Sequence, residues 1–247
     1  MSAPRPFVVV ASRELRSYFA TPLAGVFLVV FIFLAGIFSF SLGGLYERGQ
    51  ADLRPFFQFA PWLFLFLAPA VSMRLWAEER RLGTVEILTT LPLPLWQVVL
   101  GKFLAAWGFC VLALVATVPL WVTVSWLGDP DHGAILAGYA AAAMLSGVYL
   151  AIGSVISAFT KNQVIAFVVT AVACFLSLLC GYPVVLDFFK GWLPDGVADA
   201  IAGVSILTHY QSMMRGVIEL RDAIYFVSAI VALVTATAIT IDWRKAA

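Results

Sequence analysis

Charged side chains are scarce in this sequence. Lys, Arg, Asp and Glu make up 12% of its 247 residues, about half their share in a soluble domain. Hydrophobic residues make up 62%, which is more apolar surface than a water-soluble globule of this size could hide in one core. The composition therefore excludes a soluble enzyme, a nucleic-acid-binding protein and a disordered chain, and it predicts an integral membrane protein.

Residues that build catalytic and metal sites are also few. The three cysteines are an odd number inside apolar runs, which disfavours disulfides, and the two histidines have no clustered partners for a metal ion. A Walker A motif is absent, because the pair Gly101-Lys102 is followed by Phe103 and not by Ser or Thr. We therefore expect no catalytic residue, no metal and no cofactor on this chain, and no ATP hydrolysis by it alone.

Six apolar runs are long enough to cross a membrane as helices. They cover about residues 21–43, 56–75, 102–127, 133–158, 164–182 and 223–241. The runs are continuously apolar and do not alternate, which favours helices over a β-barrel. No charged residue or histidine falls in the middle of a run, which disfavours a proton- or sodium-coupled carrier. The sequence predicts one all-α domain with six transmembrane helices over residues 1–247.

The basic residues are distributed unequally between the two sides of these spans. Ten lie at the termini and in the second and fourth loops, against five in the first, third and fifth loops. The positive-inside rule places the richer side in the cytoplasm, so both termini are expected there. The acidic third loop, residues 128–132, then faces outward.

The residue pattern over 4–20 predicts a helix that lies in the inner membrane interface. Apolar side chains recur at helical spacing on one side of it, and basic and polar side chains cluster on the other. The alternative is a positively charged flank that only precedes the first span. The apolar positions are Phe7, Ala11, Leu15, Tyr18 and Phe19, and the polar ones are Arg13, Arg16 and Ser17.

Residues 76–101 form the longest cytoplasmic stretch. It opens with a charged cluster, Gly83 interrupts it, and residues 84–88 then resemble a short helix that Thr84 can cap. A short helix that is half apolar and half acidic suits docking to another protein, and a solvated connecting loop is the alternative. The charged cluster consists of Glu78, Glu79, Arg80 and Arg81, and the apolar helix positions are Val85 and Leu88.

Residues 183–222 form a long segment on the outer side. Near its end, polar residues recur at helical spacing among apolar ones, which predicts an amphipathic helix over about 205–220 that lies on the outer membrane face or dips into it. This helix is expected to act as a gate or a partner platform, with a plain spacer as the alternative. The polar stripe consists of Gln211, Arg215, Glu219 and Asp222.

The fourth span is rich in small residues spaced by four. Such spacing lets membrane helices approach each other closely. We expect packing within the chain to use it, and a seam between two subunits is the alternative. The two series are Gly138, Ala142 and Ser146, and Ala143, Gly147 and Ala151.

The motif order between the second and third spans resembles the permease subunits of type-2 ABC transporters. That family typically has a Glu-rich turn, then Gly-Thr-x-Glu, then Leu, Pro and Gly-Lys before the third span. The N-terminal segment and the segment before the last span are similar to the gliding-motility permease branch, so the resemblance covers nearly the whole chain. The matching residues are Glu78-Glu79-Arg80, Gly83-Thr84-Val85-Glu86, Leu88, Pro92 and Gly101-Lys102 in the first motif, Arg13-Glu14-Leu15-Arg16-Ser17-Tyr18-Phe19 with Pro22 at the N-terminus, and Thr208-His209-Tyr210, Arg215-Gly216-Val217-Ile218 and Arg221-Asp222-Ala223-Ile224-Tyr225-Phe226 before the last span.

The resemblance implies an ATP-driven exporter in which two permease subunits assemble with two ABC ATPase subunits in a bacterial inner membrane. ATP and Mg²⁺ would bind the ATPase, and residues 78–90 would form a coupling helix in a groove of it. A second copy or a related permease would complete the substrate path, and an accessory membrane protein with a large outer domain often accompanies this branch. The expected coupling residues are Glu78, Glu79, Arg80, Gly83, Thr84, Val85, Glu86 and Leu88.

Two other functions stay open at this point. One is a secondary carrier or channel that is not powered by ATP, and the other is a membrane anchor or assembly factor. Co-purification with an ATPase subunit would separate the ABC permease from both. Within the ABC interpretation, both the export of a cargo and mechanical signalling across the membrane are compatible with the sequence.

Overall fold

The computed structural model describes residues 6–45, 47, 49, 51–84, 94–182, 185, 203 and 205–243. Every regular element in these residues is a helix, as predicted for an all-α membrane protein. The helices are α1 (Pro6–Phe19), α2 (Pro22–Ile37), which continues as a π-helical turn (Phe38–Leu42), α3 (Arg54–Ser72), α4 (Ala77–Leu82), α5 (Leu95–Val115), α6 (Val118–Leu127), α7 (His132–Phe159), α8 (Gln163–Leu179), α9 (Ile206–Met213) and α10 (Leu220–Trp243).

Apolar helices occupy all six predicted spans. Among the described residues, five stretches are long and apolar enough to cross a membrane, namely Ala24–Leu42, Arg54–Leu82, Leu95–Leu127, His132–Phe159 and Leu220–Trp243. The predicted fifth span is the shorter helix α8, whose 17 residues rise by about 25 Å against roughly 30 Å for a bilayer core. α8 ends at Leu179, and Gly181 beyond it allows the α9 segment to pack closely, because a Cβ there would lie 2.5 Å from Leu207 Cβ.

The third span differs from the predicted 102–127 run at its start and in its middle. α5 begins at Leu95, so Lys102 lies about two turns inside the helix and not at its end. The helix is interrupted after Val115, because Pro119 has no N–H to donate to the carbonyl of that residue, and α6 follows. A buried lysine inside an apolar helix needs a partner of opposite charge.

α7 lies at the centre of the bundle and contacts α3, α5, α8, α9 and α10. Small residues allow these contacts: a Cβ at Gly138 would lie 2.5 Å from the Phe57 ring of α3, and one at Gly147 would lie 2.8 Å from Ile230 of α10. Both distances are shorter than ordinary Cβ contacts, so glycine lets these helices come this close. Packing within the chain, as expected from the spacing, is confirmed at these positions.

α1 confirms the predicted N-terminal helix, and it packs along α5. A Cβ at Gly101 would lie 2.9 Å from the carbonyl oxygen of Phe7, and the Tyr18 ring stacks on Phe109 with centroids 5.5 Å apart. Gly101 and Phe109 are about 12 Å apart along α5, so α1 follows that helix for roughly two turns. The N-terminal helix is therefore part of the helical bundle.

α2 and α10 lie at the perimeter of the bundle. In each of them, 17% of the most apolar stretch is buried inside the protein. Val29 and Phe33 on α2 and Val231 on α10 leave more than half of their surface exposed. Contiguous apolar surface of this kind fits contact with lipid or with a second subunit.

Candidate functional site

The turn between α3 and α4 is fastened to α7 by hydrogen bonds. The backbone N–H groups of Trp76 and Ala77 both donate to Ser157 Oγ, each at 3.1 Å. The same hydroxyl donates to the carbonyl oxygen of Met73 at 3.3 Å. A hydroxyl has one hydrogen and two lone pairs, so Ser157 uses its whole capacity on this turn. We define residues 73–84 as the base of the coupling region. These hydrogen bonds hold the base at a fixed position on α7.

Trp76 extends this anchor to a further helix. Its ring is buried, and Nε1–H donates to Ser154 Oγ on α7 at 3.2 Å, while Thr237 Oγ1 on α10 lies 3.4 Å from the same oxygen. Arg80 on α4 donates from Nη1 to the carbonyl oxygen of Ala158 at the end of α7. The base of the coupling region is therefore tied to α7 and, through Ser154, to α10.

A buried charge cluster ties the same base to α1 and α5. Lys102 Nζ lies 2.7 Å from Glu79 Oε1 on α4 and 3.2 Å from Glu14 Oε1 on α1, and 4% of the lysine side chain is exposed. The ammonium also lies 5.3 Å from the centre of the Trp76 ring, within range of a cation–π contact. Arg13, an exposed neighbour, contacts Glu14 Oε1 at 3.3 Å. The cluster joins α1 to α4 and α5, which lie much later in the sequence.

The residues of the predicted interfacial helix divide between two environments. Arg13 and Arg16 are exposed, whereas Leu15 and Tyr18 are half-buried and pack inward. Glu14 also points inward, to Lys102. Burial raises the pKa of Tyr18 above its usual range, so this hydroxyl stays protonated.

Two predicted coupling residues have partners within the chain. Glu79 contacts Lys102, and Arg80 donates to the carbonyl of Ala158. Each of these side chains helps to hold α4 in place, and a contact of either with the ATPase stays a prediction. Glu78, beside them, is half-buried.

The predicted break after α4 is confirmed. Gly83 ends the helix in the left-handed conformation (φ 71°), with its N–H donating to the carbonyl of Glu79. Thr84 Oγ1 donates to the same carbonyl at 3.3 Å. Val85, Glu86 and Leu88 lie outside the described residues, so the helix over 84–88 stays a prediction.

The prediction of one continuous helix over 205–220 is wrong. α9 covers Ile206–Met213, Gly216 follows with φ 93°, and α10 begins at Leu220. Gly216 in the left-handed region breaks the helix, so the predicted stripe does not lie on one element. Gln211 is exposed on α9, Arg215 is exposed in the turn, Glu219 is exposed before α10, and Asp222 is buried within α10.

α9 packs into the bundle instead of lying on the membrane face. Tyr210 Oη donates to the carbonyl oxygen of Phe57 on α3 at 2.7 Å. Burial raises the pKa of Tyr210 above its usual range, which keeps this donor protonated. Ile206, Leu207 and Met213 are buried as well. α9 is therefore a short buried helix that packs against the N-terminal end of α3 and against α7.

A buried polar pair, which the sequence did not predict, joins α9 to α10. His209 Nδ1 lies 2.6 Å from Asp222 Oδ1, and His209 Nε2 lies 3.0 Å from the carbonyl oxygen of Gly203. Because a carbonyl can only accept, Nε2 carries a hydrogen, and a second hydrogen is shared between Nδ1 and Oδ1. The Tyr225 ring stacks on the imidazole with centroids 4.0 Å apart. The pair holds the head of α10 against α9.

The sequence carries a weak signal for the charge cluster and none for its partners. A lysine inside an apolar run indicates a buried ion pair. The third span was predicted to begin at Lys102, and a start at Leu95 would have placed the lysine inside the run. Glu14 and Glu79 contact Lys102 across the fold, and no local spacing encodes that contact. In the described part of the chain, no group of three or more His, Cys, Asp or Glu side chains could hold a metal ion.

A comparison with protein families places these elements in a known group. The family model described as ABC-2 family transporter protein matches residues 54–241, which include α3 to α9 and most of α10. The match does not select the gliding-motility branch, and no curated protein matches the chain. Since the matched residues are well over half of the sequence and form a bundle of apolar helices, the chain belongs to the ABC-2 transporter family, as a multi-pass membrane permease subunit of an ABC transporter.

Proposed function

We propose that this permease couples ATP hydrolysis on a separate ABC ATPase subunit to export, or to mechanical signalling, across a bacterial inner membrane. ATP and Mg²⁺ bind the ATPase, since this sequence has no Walker A motif. A second permease subunit, identical or related, completes the path between the two. An accessory membrane protein with a large outer domain joins the complex on the outer side.

The fastened base of the coupling region is the observation that carries this proposal. A segment transmits force only if it is rigidly attached at its base, and residues 73–84 are attached at two places. Ser157 and Ser154 hold this base on α7, and Lys102 holds it on α5 and α1. A displacement of the residues that follow Thr84 would therefore reach the transmembrane helices and would not be absorbed by a loose loop.

The docking surface follows the fastened base. We assign Val85 and Leu88 to the core of the contact with the ATPase and Glu86 to a basic or amide group of it. Burial of each apolar side chain contributes roughly 1.5–3 kcal/mol. ATP drives the change because it favours one of two arrangements of the ATPase pair, and the seated helix carries that preference into the membrane.

Co-purification with an ATPase tests this function. An affinity-tagged permease expressed in its native host should retain an ABC ATPase after purification in mild detergent. Leu88→Asp should reduce the retained ATPase by about tenfold or more, because a carboxylate in an apolar interface core is not solvated. Glu86→Lys should weaken the complex less, because polar contacts contribute less than the core.

Arg81→Ala is the matched control for these variants. Arg81 is exposed on α4, close in sequence to the docking surface, and its loss should leave the retained ATPase unchanged. All variants should insert normally, since none lies in one of the six apolar runs predicted from the sequence. If Leu88→Asp keeps both the bound ATPase and permease-dependent ATP hydrolysis, the docking surface lies elsewhere, and the exposed side of α1 around Arg13 and Arg16 is then the next surface to test.

A further inference from the structure

Lys102 is shared by two carboxylates that belong to different helices. Its Nζ contacts Glu79 Oε1 on α4 at 2.7 Å and Glu14 Oε1 on α1 at 3.2 Å, while the lysine itself belongs to α5. One ammonium therefore joins the base of the coupling region to the N-terminal helix and to the third span. Its side chain is 4% exposed, so water screens these contacts little.

We propose that Lys102 is a positioning residue for energy coupling, which makes α1 and α5 follow α4 when the ATPase moves the coupling region. This inference rests on the proposed function, because it needs an ATPase that pulls on that region. It adds a second route for force. The first route runs from the base of the coupling region to α7 through Ser157, and the second runs through Lys102.

Lys102 holds the two carboxylates unequally. Glu79 Oε1 is at the shorter distance from Lys102, and Glu79 Oε2 is buried with no hydrogen-bond partner among the described residues. Glu14 has a further contact with Arg13 at 3.3 Å. Because the electrostatic attraction rises as the distance falls, Lys102 is held more strongly by Glu79 than by Glu14.

The serine contacts make the role of Lys102 separable from simple support. Trp76 and Ala77 donate to Ser157 without involving Lys102, so α4 stays seated on α7 when the lysine charge is removed. Loss of the charge should therefore spare ATPase binding and impair the coupling of ATP hydrolysis to movement of α1 and α5.

The test compares Lys102→Met with Lys161→Met in the complex with the ATPase that co-purifies with the wild-type permease, reconstituted in lipid nanodiscs. Lys161 is an exposed lysine between α7 and α8, so both variants lose one positive charge. Two quantities are measured: the Kd of the ATPase for the permease, and the permease-dependent increase in ATP turnover. Lys102→Met should keep the Kd within about twofold and lower the increase in turnover by about tenfold.

Two further variants keep the test decisive. Lys102→Arg should recover most of the turnover, because a guanidinium also holds two carboxylates. If Lys102→Met does not accumulate in the membrane, Glu14→Gln decides instead, since it removes one contact and leaves Glu79 paired. Glu14→Gln should lower the increase in turnover with an unchanged Kd.

The outcomes divide cleanly. Wild-type turnover in Lys102→Met, or in Glu14→Gln where that variant decides, would overturn the proposal. A Kd that rises in parallel with the loss of turnover would also overturn it, because Lys102 would then only support the docking surface. Failure of the wild-type permease to retain any ATPase is a separate result, which contradicts the proposed function and not the role of Lys102 alone.

Discussion

His209 lies between two groups that accept hydrogen bonds, and this position determines what it contributes. The carbonyl of Gly203 takes the Nε2 hydrogen, and the carboxylate of Asp222 shares the other. Both side chains are buried, so the pair has little contact with water. A buried pair of this kind contributes little over an apolar pair of the same shape, but the loss of one member leaves the other unsatisfied.

His209→Leu should therefore destabilise the protein. The variant leaves the buried Asp222 carboxyl with Ser212 as its remaining hydrogen-bond partner, which costs about 1–3 kcal/mol. The double variant His209→Leu/Asp222→Leu should be less destabilised than the sum of the two single variants, because no unpaired charge remains. Thermal unfolding in detergent, followed by tryptophan fluorescence, measures these differences.

His132→Leu is the control for the effect of losing a histidine. His132 is exposed at the start of α7, where Nδ1 accepts from Trp121 Nε1 at 3.1 Å. Its replacement should cost about 1 kcal/mol or less. Equal unfolding temperatures for His209→Leu and His132→Leu would show that the buried pair does not hold α9 on α10.

Helix packing against α5 depends on one of its glycines and not on another. A Cβ at Gly101 would lie 2.9 Å from the carbonyl oxygen of Phe7, whereas one at Gly108 meets nothing within 4 Å. Ala is a better helix former than Gly. We therefore expect a Gly→Ala substitution to have opposite effects on stability at these two positions of α5.

Gly101→Ala should destabilise the protein by about 1–3 kcal/mol, because the added methyl group pushes α1 away from α5. Gly108→Ala should stabilise it by about 0.5–1 kcal/mol, since the helix gains propensity with no clash. Chemical denaturation of the two purified variants under one condition gives the comparison. A stabilised Gly101→Ala variant would mean that α1 does not approach α5 as closely as the structure has it.

Local patterns in the sequence predicted most helices well, because a helix is set by residues close together in the chain. The apolar runs predicted α3, α7 and α10, and the spacing of Phe7 and Leu15 predicted α1. Gly83 predicted the end of α4 for the same reason. The spacing of Gln211 and Asp222 predicted one continuous helix, and this prediction was wrong. Gly216 lies between the two residues with φ 93°, which ends the helix.

Contacts between distant residues could not be predicted in this way. Lys102 and Glu14 are 88 positions apart, and Trp76 and Ser157 are 81 apart. Nothing in the spacing of these residues indicates that their side chains meet. The coupling region could be located from its motif, whereas the contacts that fasten its base follow from the packing of α1 on α5 and of α4 and α5 on α7.

At the scale of the whole molecule, the orientation in the membrane decides where the coupling region lies. Gly128 and Gly83 lie in loops on opposite sides of the predicted spans, but they are unsuitable positions for a labelling cysteine. A Cβ at Gly128 would lie 2.7 Å from Ala51 Cβ, and Gly83 has a φ of 71° that strains any other residue. The exposed Asp129 and Arg81 lie beside them and tolerate substitution better.

Single cysteines at these two positions should therefore label from opposite sides of the membrane. Cys110 and Cys174 are buried and Cys180 is half-buried, so all three are first replaced by alanine to leave a silent background. The excess of basic residues on the side of the termini and of the second and fourth loops predicts that Arg81 lies in the cytoplasm. Asp129→Cys should react with an impermeant maleimide added to intact cells, and Arg81→Cys should react only after the membrane is permeabilised. The reverse pattern would turn the coupling region outward, where no ATPase could reach it, and would contradict both the orientation and the proposed function.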